Sequence, residues 1–120
     1  MKVLILEDAL IGEEVRREAE QLGLEAKCFI GVKAVEGTKL TGFCRQGLTL
    51  EVVDLSEYKL AFVDGFLYID GLMGWDVLPH LQPLMLTVGT SSMGGIGAHH
   101  TIDKENMSAT LHKFVEGELN

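Results

Sequence analysis

Three acids, a lysine and a threonine are the residues of this sequence best suited to chemistry. The apolar run Val3-Leu4-Ile5-Leu6 ends directly on Glu7-Asp8, and the run Leu60-Ala61-Phe62-Val63 ends just as directly on Asp64, with Gly65 behind it. Each acid alone has an ordinary reading, as a turn residue or as a helix N-terminal acid favoured by the macrodipole. Brought together, the three carboxylates would repel one another, and a hard divalent cation would relieve that repulsion. Mg2+ favours sites made of a few carboxylates, waters and phosphate oxygens. Lys104 lies two residues beyond the short segment Ala98 to Ile102, and the hydroxyl of Thr90 or Ser91 follows the apolar segment Leu84 to Val88.

What could bring these groups to one place is a parallel sheet. A short continuous apolar run is the expected look of a strand buried on both faces. After Glu7-Asp8, apolar residues recur at Ile11, Val15, Ala19 and Leu22, with Glu13, Glu14, Arg16, Arg17, Glu18 and Glu20 on the other face and Gly23 as a stop. That spacing predicts an amphipathic helix. A second strand is expected within Leu24 to Ile30, so that strand, helix and strand form a right-handed βαβ unit. Further strands are expected at Leu60 to Val63, Leu84 to Val88 and Ala98 to Ile102. A brief helix around Trp75 to Leu81 is limited by Pro79 and Pro83. A terminal helix has Met107, Leu111, Phe114 and Val115 on one face. Residues 31 to 56, interrupted by Gly31, Gly37, Gly42 and Gly47, read as a β-rich or irregular excursion. Alternating strands and helices make the class α/β, and in an open sheet of this kind ligands gather outside the carboxyl ends of the strands.

Composition excludes several function classes. The 120 residues, 47% of them hydrophobic, suit one domain with a single core. A formal charge of −8 argues against nonspecific nucleic-acid binding, which needs clustered Lys and Arg, and points to a cationic partner or a metal ion. Cys28 and Cys44 form no CxxC pair and read as buried, reduced thiols. No apolar run approaches a membrane span and MKVLILED lacks a signal-peptide pattern, so a cytoplasmic protein with no membrane association is expected. His99-His100 reads as a surface pair, since adjacent strand residues point to opposite faces. Trp75 and the methionines are expected to pack. The glycine-rich GTSSMGGIG is no Walker motif, and a loop is its simplest reading.

The ordered set of motifs resembles the receiver domains of two-component response regulators. VLILEDALIGEEVRREAEQLG is similar to a receiver's first strand, acidic pair and first helix, LAFVDG to the third strand with the phosphoacceptor aspartate, and GIGAHHTIDK to the segment that leads through the fifth strand to the lysine. The resemblance implies a CheY-like, flavodoxin-like, doubly wound sheet of five parallel strands in the order 2-1-3-4-5. It also implies roles: Asp64 as phosphoacceptor, Glu7, Asp8 and Asp64 around Mg2+, Lys104 against a phosphoryl oxygen, and Thr90 as switch hydroxyl with Thr87 and Ser91 as rivals. The partner would be a sensor histidine kinase or a phosphotransfer protein. The long stretch before Asp64, the shortened third and fourth helices and Glu105 in place of a proline depart from the pattern. Two readings follow, a stand-alone phosphoacceptor in a His-Asp relay and a degenerate receiver that acts as a phosphorylation-independent interaction module.

Overall fold

Two β-sheets and three α-helices make up the computed structural model, which describes residues 1–44, 49–67, 71–90 and 97–119. In chain order the elements are β1 (Lys2–Leu6), α1 (Ala9–Gln21), β2 (Glu25–Phe29), β3 (Gly31–Glu36), β4 (Lys39–Phe43), β5 (Leu50–Asp54), β6 (Tyr58–Val63), α2 (Gly74–Leu81), β7 (Leu86–Gly89), β8 (His100–Thr101) and α3 (Met107–Val115). The larger sheet has the order β2-β1-β6-β7-β8, and every pairing in it is parallel. With β3, β4 and β5 set aside, this is the 2-1-3-4-5 order of a flavodoxin-like doubly wound sheet.

The apolar runs become its central strands because both faces are covered. On one face Val3, Ile5, Leu60, Phe62 and Val88 pack with Val15 and Ala19 of α1 and Met107 and Leu111 of α3. On the other, Leu4, Leu6, Ala61 and Val63 pack with Val77, Leu78 and Leu81 of α2 and with Leu40 and Val32 of the smaller sheet. α1 begins where Asp8 caps it, its Oδ1 accepting from the backbone N–H of Leu10 and Ile11 at 3.0 and 2.9 Å. In α3 the buried positions are Met107, Thr110 and Leu111, while Val115, expected on the buried face, is exposed. Pro79 lies inside α2 and the helix is short, ending at Leu81.

The stretch 31 to 56 is more regular than expected. Where the resemblance places a second helix, β3, β4 and β5 form an antiparallel sheet in that order. β3 and β4 are joined by a two-residue turn in which Gly37 has φ +61, a backbone region that glycine adopts without strain. Val35, Leu40 and Val53 then alternate toward the core, which is the period a strand requires. The last parallel strand is correspondingly short, two residues where Ala98 to Ile102 was expected. The glycine-rich segment at 91–96, where a fourth helix would lie, is outside the described residues.

Two contacts tie the chain after Asp64 to its surroundings. Leu72 bridges to Val32 of β3, its N–H donating to the Val32 carbonyl at 2.9 Å. Gly74 starts α2 hard against the end of β6, and a methyl group there would overlap the Asp64 carbonyl oxygen, which as backbone cannot swing aside. Gly74→Ala should therefore lower stability by about 2–3 kcal/mol, read as a fall in the urea midpoint at unchanged slope.

Candidate functional site

The sheet register itself gathers the site. Leu6 pairs with Val63 and Val63 with Gly89, and the ladder continues one residue further: Asp64 N–H donates to the Leu6 carbonyl at 2.8 Å and Thr90 N–H to the Val63 carbonyl at 3.0 Å. Glu7, Asp64 and Thr90 thus stand in one row across the carboxyl edge of β1, β6 and β7. Each lies two residues beyond a member of the same core face, Ile5, Phe62 and Val88, so the strand period of two sends all three side chains to the side that α1 and α3 cover. Ile102, packed on that face, donates its N–H to the Gly89 carbonyl at 2.9 Å and delivers Lys104 at the start of a single 3-10 turn, Lys104–Asn106.

Lys104 is the hub of the site. Its Nζ donates to Glu7 Oε1 at 2.7 Å and Asp64 Oδ2 at 2.8 Å, and lies 3.8 Å from Asp8 Oδ2. Thr90 Oγ1 donates to Glu7 Oε2 at 2.5 Å, and Asp8 N–H donates to Glu7 Oε1 at 3.2 Å. Asp64 Oδ1 accepts from the Phe66 N–H at 3.2 Å. Glu7, Asp8, Asp64, Thr90 and Lys104, expected from sequence to converge, lie together. Thr87 lies elsewhere: its hydroxyl accepts from the His99 N–H at 3.1 Å and sits 3.0 Å from His99 Nδ1. Ser91 falls outside the described residues.

Both oxygens of Glu7 are engaged and its side chain is fully buried. Burial pushes its carboxyl up to about 7, against the lowering effect of the Lys104 and Thr90 hydrogen bonds and with help from neighbouring Asp64. Burial works against the Lys104 ammonium, yet its bonds to Asp64 and Glu7 outweigh that and hold it above the ordinary lysine range. A carboxyl raised on folding contributes stability that is full below its unfolded pKa and lost as pH rises through the folded one. Wild-type stability should therefore fall by roughly 2–3 kcal/mol between pH 4.5 and 7. In Glu7→Gln that slope should flatten, which urea titrations at stepped pH would check.

For a metal ion, the chemistry of the donors is suitable but their present engagement matters. Among the described residues no set of three or more acids, histidines or cysteines is arranged around one point as a ligand cage. Asp8 is partly open, whereas Asp64 is buried with Oδ1 bonded to the Phe66 N–H and Oδ2 to Lys104, so a cation shared by these two carboxylates would have to draw Asp64 away from the lysine. Two carboxylates suffice for Mg2+, which keeps several waters. Beside the site, Phe66 and Trp75 meet edge to face with ring centroids 5.0 Å apart, and they are 49% and 42% exposed, so Trp75 belongs to the rim of the site and not to the core. Sequence reasoning missed this pair because Phe66 and Trp75 are nine residues apart and share no strand or helix period. Cys28 and Cys44 are free and half-buried, and burial pushes the Cys28 thiol up to about 12, which makes it a poor nucleophile. No helix among the described residues is long and apolar enough to cross a membrane.

No protein-family model matches the sequence, and no curated protein matches it either. Solved structures do. The response regulator receiver domain protein (CheY-like) from Methanospirillum hungatei JF-1 superposes with a TM-score of 0.60 at 14% identity, over 98% of this chain and 94% of that one. A fusion protein carrying the yeast Spc42 trimeric coiled coil gives a TM-score of 0.61 at 14% identity, over 98% of this chain and 75% of that one. At such identity the likeness is one of fold: the chain has the CheY-like, flavodoxin-like α/β architecture, with an antiparallel sheet added to it.

Proposed function

We propose that this receiver-like chain is a signalling protein that accepts a phosphoryl group on Asp64 in a Mg2+-dependent His-Asp phosphorelay. The observation that carries the reading is the row Glu7, Asp64 and Thr90 with the Lys104 ammonium bonded to both acids. An Asp64 oxygen attacks phosphorus, a P–O bond forms, and the bond to the donor's leaving group breaks, N–P for a phosphohistidine or O–P for acetyl phosphate. The product is an acyl phosphate. Lys104, freed from Asp64 Oδ2, pairs with a phosphoryl oxygen while Glu7 holds its other side, and Thr90 can turn its hydroxyl from Glu7 to the new group. Such transfer depends on positioning and electrostatics more than on covalent help from the protein. Asp8 and Asp64, with Glu7 behind them, would hold Mg2+, which would supply charge neutralisation for the incoming anion. The donor would be a sensor histidine kinase or a phosphotransfer protein. Intact-mass spectrometry after incubation with acetyl phosphate tests the reading: the mass of one phosphoryl group should appear with Mg2+ and vanish with excess chelator. Mg2+ binding should change Trp75 fluorescence, since α2 begins against Asp64.

A second reading, the degenerate receiver that works as an interaction module, has its own support. Both Glu7 oxygens are already satisfied within the protein, and an antiparallel sheet takes the place of a helix on the outer surface. No mass gain with several donors, and partner binding unchanged in Asp64→Asn, would favour it.

A further inference from the structure

The amino edge of the larger sheet carries a row of its own, at the opposite end of the strands from Asp64. Glu25, Lys2 and Tyr58, the first residues of β2, β1 and β6, are partners across the sheet. Lys27 lies two residues beyond Glu25 and so on the same face. With Ala26 these residues line a concavity of about 220 Å³. Tyr58 is only 5% exposed, and its hydroxyl has no hydrogen-bond partner among the described residues. No polar side-chain atom shut off from solvent lacks a partner among those residues, so this hydroxyl opens on the concavity. Buried polar groups are nearly always hydrogen-bonded, and a hydroxyl held this deep calls for a partner from outside the protein. Two ammonium groups flank it. Lys2 Nζ stands 5.9 Å from the Tyr58 ring centroid and donates to Glu57 at 3.0 Å, while Glu25 at 3.7 Å is too far for a second bond. Lys27 pairs with Glu51. Burial raises the pKa of the Tyr58 hydroxyl and the charges of Lys2 and Lys27 pull against it, which places both lysines near the hydroxyl.

We infer that this concavity binds a small zwitterionic amino acid, its carboxylate on the Tyr58 hydroxyl and the Lys2 and Lys27 ammonium groups, its own ammonium on Glu25. Depth sets that orientation. The Lys2 and Lys27 side chains are 36% and 32% exposed and that of Glu25 is 75% exposed, so the donors lie at the floor and the acid at the rim. A carboxylate accepts charge-assisted bonds from the floor. Net charge selects the zwitterion over a simple anion, because a chain of charge −8 repels an anion and is indifferent to a neutral ligand. Size selects a compact one, since the space is smaller than the roughly 300 Å³ at which pockets for drug-sized ligands begin. The ion pairs that Lys2 and Lys27 already make are partly exposed, so a ligand loosens them at little cost. This inference stands apart from the phosphoacceptor reading.

Glycine titrated into the full chain and followed by amide NMR tests this directly. The signals of Lys2, Glu25, Ala26, Lys27 and Tyr58 should shift along a saturating curve, with a Kd on the order of 1 mM, while those of Asp64 and Lys104 stay in place. Tyr58→Phe should weaken binding by about tenfold with the fold kept, because the hydroxyl bonds the ligand's charged group and nothing in the protein. Glu25→Gln should weaken glycine binding and leave acetate binding unchanged. Acetate and methylammonium, the two halves of the ligand, should each bind about tenfold more weakly than glycine at equal ionic strength. No saturating shift at these residues, equal affinity in Tyr58→Phe, or acetate binding as tightly as glycine would each overturn the proposal.

Discussion

Lys104→Met is expected to lower stability by about 3 kcal/mol at pH 8, and by distinctly less at pH 5. The lysine is the cation bonded to both Glu7 and Asp64. Removing it leaves two closely placed carboxylates, one of them fully buried, with only neutral donors, and breaking a buried ion pair from one side strands the other charge. The pH dependence separates this account from simple loss of packing. Glu7 is already raised to about 7 with the lysine in place, and loss of the lysine's lowering effect raises it further, so at pH 5 Glu7 carries a proton, the stranded charge disappears and the deficit shrinks. A methionine of similar length keeps most of the apolar contact, and a packing defect would not change between the two pH values. Urea denaturation of both proteins at each pH measures the difference. Equal deficits at pH 5 and pH 8 would mean that Lys104 acts as a spacer.

Asp64→Asn should abolish phosphoryl addition altogether while leaving the chain folded. The amide keeps the shape of the side chain, but its one oxygen can accept from either Phe66 N–H or Lys104 and not from both, and it lacks the anionic oxygen that would attack phosphorus. Lys104→Met should instead slow addition and destabilise the product, because the lysine contributes a charge contact and no nucleophile. The two variants therefore differ in kind: one ends the reaction and the other weakens it. Loss of the mass gain in Lys104→Met with retention in Asp64→Asn would reverse the assigned roles.

Much of the fold could be read from sequence because burial on both faces leaves an unmistakable pattern. Val3 to Leu6 and Leu60 to Val63 are continuous apolar runs, and each lies within a central strand. Their ends carry the site residues, so identifying the strands also located Glu7, Asp8 and Asp64. Residues 31 to 56 were harder because β3, β4 and β5 face the core on one side only, and glycines at 31, 37 and 42 break the alternation. One of them, Gly42, is excluded from any larger type because the Phe29 ring lies against it, a long-range reason that no local pattern reveals. The choice between Thr87 and Thr90 turned on a single strand position: Thr87 points to the opposite face from Val88, toward His99, whereas Thr90 returns to the Glu7 side. The exposed pair Phe66 and Trp75 depended on how the chain turns after Asp64, which Gly74 and the Val32–Leu72 bridge determine.

The most direct test of the phosphoacceptor reading is to locate the phosphoryl group. After incubation with acetyl phosphate and Mg2+, borohydride reduction converts an aspartyl phosphate to homoserine, and peptide mapping by mass spectrometry finds the converted residue. Conversion at position 64 alone, and none in protein never exposed to acetyl phosphate, is the result expected. Conversion at Asp8 or Glu7, or a phosphoryl group on a hydroxyl such as Thr90 with Asp64 unmodified, would contradict it.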